Sequence, residues 1–343
     1  MHLPKPALFA SALILRSLLL LAAGTAALAA CSSNSEDPLS APLRADAECG
    51  NWFGSDFWEM ATAAEVMRCL AAGADPNARD ENGLTPLHLA AANDRAEALA
   101  ALLDGGADPN AGAENGWTPL HLTAANDSTG ALVALLDGGA DLNARAEDGL
   151  MPLHVAAVND SAGALAALLA AGADPNAGGA EDGWTLLHVA ARYGGAGAVA
   201  ALVRGGADPN AGAEDGWTPL HVAAVVNSAG VVAALLGGGA DPNARNKIGR
   251  TPLHLAVAND SAGALAALLG GGADPNARDE DGWTPLHVAA RYGGAGVVAA
   301  LLDGGADGGA QAAAGEFPAD LAEKNEKLRN SPVYRRLNDA RDW

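Results

Sequence analysis

The chain has 343 residues, half of them hydrophobic, and carries a formal net charge of -21 from 41 acidic and 20 basic side chains. That balance excludes nucleic acid as a partner, since phosphate binding requires positive charge, and it suits solubility, a salty habitat or a basic protein partner. Residues 316–343 hold six acids and six bases, so the acidic excess lies upstream.

In chain order, residues 1–30 come first, with Lys5, Arg16 and no acid. Their apolar stretch, residues 18–30, is too short to span a bilayer and ends in small residues, which predicts a secretory signal and an exported mature protein near -23. Leu28-Ala29-Ala30-Cys31 is similar to a bacterial lipobox. This implies a lipid on Cys31 and, with Ser32 next, an outer-membrane anchor facing the periplasm. Ordinary cleavage after Ala27-Leu28-Ala29 would instead leave Cys31 as a free thiol. Residues 31–51 read as a polar, flexible tether. An exported chain permits disulfides, so Cys49 and Cys69 either pair, closing a loop that contributes roughly 3 kcal/mol, or leave Cys69 as a small buried hydrophobe.

From there to the end the chain is an array. The tetrapeptide ending in His88 recurs at His121, His154, His188, His221, His254 and His287, every 33 residues except for one step of 34. A period in this range defines a stack of supersecondary units. In one unit, Thr218 reads as a helix cap through its hydroxyl and Pro219 as the first helical residue. A break follows at the phase of Asp94, Asp127, Asp160, Gly194, Asn227, Asp260 and Gly293, residue types that enter left-handed backbone or cap a following helix. A second helix such as the one through Leu99 and Leu102 stops at Gly105-Gly106. Gly-Ala-Asp-Pro-Asn and a later Asp-Gly or Asn-Gly then turn the chain back through a hairpin-like finger.

The Thr-Pro-Leu-His block, the paired helices and the Gly-Ala-Asp-Pro-Asn turn resemble the ankyrin repeat. The resemblance covers residues 52–342, with departures at Leu142, Met151, Leu186 and an insertion near Gly178-Gly179. It implies an all-α repeat solenoid: an array over residues 52–314, with an N-terminal cap and seven full repeats, closed by a C-terminal cap over residues 315–343. The C-terminal cap starts at Phe317-Pro318 and ends in a helix signalled by Ser331-Pro332. The resemblance also implies a non-enzymatic scaffold that binds a protein through its concave finger and first-helix face.

Candidate sites follow from phase. Identical spacing makes the seven histidines structural; the resemblance implies that each imidazole bonds between neighbouring turns. One aspartate per turn (Asp75, Asp108, Asp141, Asp174, Asp208, Asp241, Asp274) is too few for calcium and fits turn formation. No catalytic residue, metal ligand or cofactor is expected. Variation is informative where the repeat leaves identity free. Before the threonine phase stand Trp117, Trp184, Trp217 and Trp283, rings that either face a partner or pack on the adjacent finger. The first helix ends in Arg192-Tyr193 and Arg291-Tyr292, which could anchor an interface or simply reflect internal duplication. Acidic finger tips, interrupted only by Lys247 and Arg250, would steer a basic partner. Two functions stand: an envelope scaffold, or a periplasmic inhibitor or immunity-type protein that neutralises a basic toxin or enzyme.

Overall fold

The computed structural model describes residue 49, residues 52–177 and residues 182–341. The expected signal sequence, Cys31 and the polar tether over residues 32–48 lie outside these. Two units divide the chain, one ending at Asp174 and the other beginning at Pro175.

In the first unit, α1 (Ser55–Met60) and α2 (Ala63–Ala71) precede three helix pairs: α3 and α4 (Pro86–Ala92, Ala96–Asp104), α5 and α6 (Pro119–Asn126, Thr129–Asp137), and α7 and α8 (Pro152–Val158, Ala162–Ala170). The second unit repeats the pattern with α9 and α10 (Leu186–Tyr193, Ala196–Arg204), α11 and α12 (Pro219–Val225, Ala229–Gly237), α13 and α14 (Pro252–Ala258, Ala262–Gly270), and α15 and α16 (Pro285–Tyr292, Ala295–Asp303). It closes with α17 (Pro318–Ala322) and α18 (Pro332–Arg341). Within each unit first helices pack on first helices and second on second. The interior is made of leucine, valine and alanine, for example the fully buried Leu87, Ala90, Ala91, Leu99 and Leu102. Alanine lets short helices approach closely, and burying each leucine contributes about 1.5–3 kcal/mol.

Local chemistry sets the helix limits. Proline occupies the first turn of α3, α5, α7, α11, α13 and α15. Leu186 starts α9 at the same phase without it. The second helix of a pair stops at a glycine in left-handed backbone: Gly106 has φ +89°, and Ala107 N–H returns to Leu102 O at 3.0 Å. The breaks at Asp94, Asp127, Asp160, Asn227 and Asp260 are left-handed, with φ between 55° and 59°. Gly194 and Gly293 are not, at φ -83° and -81°. At those two breaks the first helix runs on through the tyrosine. At Gly293 glycine is required by proximity, because a Cβ there would lie 2.7 Å from Val297 Cγ2.

Among the described residues the fingers contain no strand. Each tip is closed by a turn, as where Ala113 N–H donates to Trp117 O at 2.8 Å. Among the described residues one backbone bond joins a tip to the next, as where Glu147 N–H donates to Asn115 O at 3.0 Å. One bond per step makes a seam, too sparse for a sheet.

Both ends differ from the interior as caps should. At the start, Trp52, Phe57 and Trp58 cluster with ring centroids 5.0–5.7 Å apart. Trp58 Nε1–H donates to Trp52 O at 2.7 Å, and the guanidinium of Arg95, just before α4, donates to the carbonyls of Trp58 and Glu59. Cys49 is bridged to Cys69, with Cα atoms 5.3 Å apart and Cys69 fully buried in α2. At the far end Asp320 stands at the histidine phase and accepts Phe317 N–H at 2.9 Å. The last turn reads Asp307-Gly308-Gly309 where the others have Asp-Pro-Asn or, once, Asp141-Leu142-Asn143. A Cβ on Gly308 would sit 2.4 Å from Ala340 Cβ, so the glycines make room for α18.

Candidate protein-binding surface

The repeated polar residues are consumed by the stack. The turn aspartates Asp75, Asp108, Asp141, Asp208, Asp241 and Asp274 each accept a local N–H, as Asp75 Oδ1 does from Asn77 at 2.9 Å, which fits turn formation. The asparagine two residues on reaches the next repeat. Asn77 Nδ2 donates to Gly106 O at 3.0 Å while its Oδ1 accepts Asp108 N–H at 2.7 Å, and Asn110, Asn210, Asn243 and Asn276 repeat this pair of bonds. Sequence reasoning missed this asparagine seam; its signal was an amide at fixed phase that local turn chemistry does not require. Break residues also reach across: Asp127 Oδ1 accepts Ala164 N–H at 2.7 Å and Asn227 Oδ1 accepts Ala264 N–H at 3.1 Å, capping the second helix of the next repeat.

The histidine geometry fixes a charge state. Thr85 N–H donates to His88 Nδ1 at 3.0 Å, and the Thr85 hydroxyl lies 2.8 Å from the same nitrogen. His88 Nε2 is 2.9 Å from Trp117 O, and a carbonyl can only accept, so Nε2 carries the hydrogen. The threonine hydroxyl therefore serves the ring, where helix capping had been expected: an imidazole at the third helical position already satisfies the threonine N–H. A ring so placed is neutral. Burial pushes His88, His221 and His254 down to about 4, outweighing the carbonyl bond that favours the charged form. His121, His188 and His287 are lowered for the same reason.

The tryptophan stripe lies over this ladder. Trp117, Trp184, Trp217 and Trp283 pack on His121, His188, His221 and His287 with ring centroids 5.4–6.2 Å apart. Trp117, Trp184 and Trp217 are only 5%, 2% and 8% exposed, whereas Trp283 is half-buried. Of the two expectations for the stripe, packing describes the first three rings as they stand. Ring and backbone work together here, since the carbonyls of Trp117, Trp217 and Trp283 accept the histidine bond from the preceding repeat.

The first-helix ends are more open. The Arg192 guanidinium carbon sits 5.0 Å from the Tyr193 ring centroid and 5.7 Å from that of Trp184; Arg291 lies 5.8 Å from that of Tyr292. Tyr292 is 55% exposed and Arg291 is exposed beside it, while Arg192 and Tyr193 are half-buried. Glu81, Glu114, Glu147, Glu214, Glu280 and Asp281 are exposed along the tips. At the exceptional finger, Arg250 Nε pairs with the buried Asp279 at 3.2 Å. The Asp279 carboxylate also accepts the N–H groups of Asp281 and Trp283. Among the described residues no group of three or more His, Cys, Asp or Glu side chains is placed to hold a metal ion.

Stacked helix pairs with buried, self-satisfied repeat residues and variable side chains at tips and helix ends define a class, the repeat solenoid. Family comparison makes it specific: the model described as Ankyrin repeats (3 copies) matches residues 59–146, 99–179, 153–246 and 227–312, and the chain belongs to the ankyrin repeat family. Such repeats generally mediate protein–protein interaction, and proteins built from them are typically non-enzymatic. A search of curated proteins found no match.

Proposed function

We propose that this chain is a protein-binding scaffold displayed in a bacterial cell envelope, held there by a lipid on Cys31 and engaging its partner through the finger and first-helix side of its repeats. The observation that carries the binding surface is the exposed Arg291-Tyr292 pair. In a chain with 4% aromatic residues whose repeated polar groups are spent on the stack, these amphipathic side chains are left for contact. Arg192, Tyr193, Arg291, Tyr292 and the half-buried Trp283 form the contact set. Trp117, Trp184 and Trp217 stiffen the fingers behind it.

Burial decides how to test this. Replacing a fully buried tryptophan with alanine costs about 3–5 kcal/mol, so the stripe variant would confound folding with binding. The informative variant is Arg192→Ala, Tyr193→Ala, Arg291→Ala, Tyr292→Ala together. Cross-linked capture from the native envelope is expected to retain a partner on the parent chain and lose at least about tenfold on the variant, with an unchanged thermal melt. Equal capture by both would place the contact elsewhere.

The acidic tips favour a second reading, in which the partner is a basic toxin or enzyme that this chain neutralises. Under that reading the captured protein loses activity when bound; under the scaffold reading it keeps it.

A further inference from the structure

We propose that a cleft of about 480 Å³ at the stems of two successive fingers in the second unit binds a carboxylate group, delivered by an acidic segment of the partner protein. The partner half of this inference rests on the protein-binding reading above; the anion half does not. Asn243, Arg245, Thr251, Asp274, Asn276 and Arg278 line the cleft.

The first support is charge placed against the trend of the chain. The phase occupied by Arg245 and Arg278 is held elsewhere by Arg79, Gly112, Arg145, Gly212 and Gln311. Only at this cleft do two successive described repeats both present a guanidinium. The finger between them is the one whose tip is basic, with Lys247 exposed. Arg250 on the same finger is already paired with Asp279. Among the described residues, no ion pair joins Arg245 or Arg278 to a carboxylate. Asp274, the acid in the lining, turns Oδ1 to Asn276 N–H at 2.8 Å. Two cations facing one carboxylate leave the cleft net positive in a chain of charge -21.

The second support is preorganisation. Arg278 Nη1 donates to Gly282 O at 3.2 Å and to Gln311 O at 2.5 Å, which anchors the side chain across its finger. Nε and Nη2 stay available, and a planar fork with one end held is suited to bidentate carboxylate recognition. Arg245 lies back over its own finger: a Cβ on Gly249 would lie 2.6 Å from its Nη2, so glycine leaves the space it uses. Holding the Arg278 side chain in place lowers the ordering cost of binding.

The test is a titration of the whole protein with succinate at constant ionic strength, following the arginine Nε–H signals by NMR. The expected result is saturable movement of the Arg245 and Arg278 signals with Arg79 and Arg145 unmoved. Arg245→Gln is expected to weaken binding about tenfold, equivalent to about 1.4 kcal/mol, and Arg245→Gln with Arg278→Gln to abolish it. Equal movement at Arg79 and Arg145, or no saturation, would overturn the site in the parent protein without recourse to any variant. A neutral-flanked peptide with a single aspartate is expected to displace succinate; if it cannot, the partner-delivered carboxylate is refuted and the cleft serves a free dicarboxylate. Succinate binding alongside failed partner capture would sink the scaffold reading and leave the cleft standing.

Discussion

An imidazole that receives a backbone N–H on one nitrogen and gives its hydrogen to a carbonyl on the other has no place for a second proton. Protonating His88 would turn Nδ1 into a donor facing the Thr85 N–H. Because the folded state holds His88, His221 and His254 near 4, below the 6.5 expected when unfolded, the unfolded chain binds more protons between those values. The stability these rings contribute is therefore complete above pH 6.5 and is lost as pH falls towards 4, by up to about 1.4 kcal/mol per pH unit for each histidine. Urea melts at pH 7, 5.5 and 4.5 should show a falling midpoint across this window; a flat profile would mean that the rings are not buried neutral. At this scale the sequence was informative about role and less so about partner atoms. Shared phase revealed that the histidines are structural, yet the threonine hydroxyl read as a cap because the competing ring nitrogen is visible only in three dimensions.

Helix pairs were legible because proline, the break residue and the terminal glycine each act locally. At the break phase the sequence left open whether a residue enters left-handed backbone or caps the next helix, and glycine fits either conformation; the structure gives Gly194 and Gly293 φ of -83° and -81°. α1 was not legible either, since Ser55–Met60 lacks the threonine-proline block and its place depends on the Trp52, Phe57 and Trp58 cluster. The bridge ties residue 49 to the buried face of α2, across a sequence separation of 20 residues. Its reduction should cost about 3 kcal/mol, concentrated in the N-terminal cap. Hydrogen exchange in α1 and α2 should accelerate under reductant while α11 to α16 stay protected. Uniform acceleration, or none, would contradict a local role.

Over the whole chain, acidity was legible as a count and its use was not. Exposed carboxylates along the tips create a field that extends about 8 Å at physiological ionic strength. If the partner is basic, its association rate should fall by about tenfold or more between low and high salt, while dissociation changes little. A salt-independent on-rate in stopped-flow mixing would remove the tips from recognition. The candidate surface was only partly readable: spacing located the variable positions, but tryptophan is both a packing and an interface residue, and only its burial on the neighbouring histidine separates the two uses.

Every hydrogen bond between repeats described above joins a repeat to its immediate neighbour. His88 reaches Trp117, Asn110 reaches Gly139 and Asp127 reaches Ala164. A gene encoding such a chain can gain or lose one 33-residue segment by unequal crossing-over, and the new junction can reuse the histidine and asparagine bonds that already join neighbouring repeats. The near-identity of residues 183–204 and 282–303 is what such a history leaves behind. Recognition by this protein can thus evolve by changing the length of the array as readily as by changing its side chains.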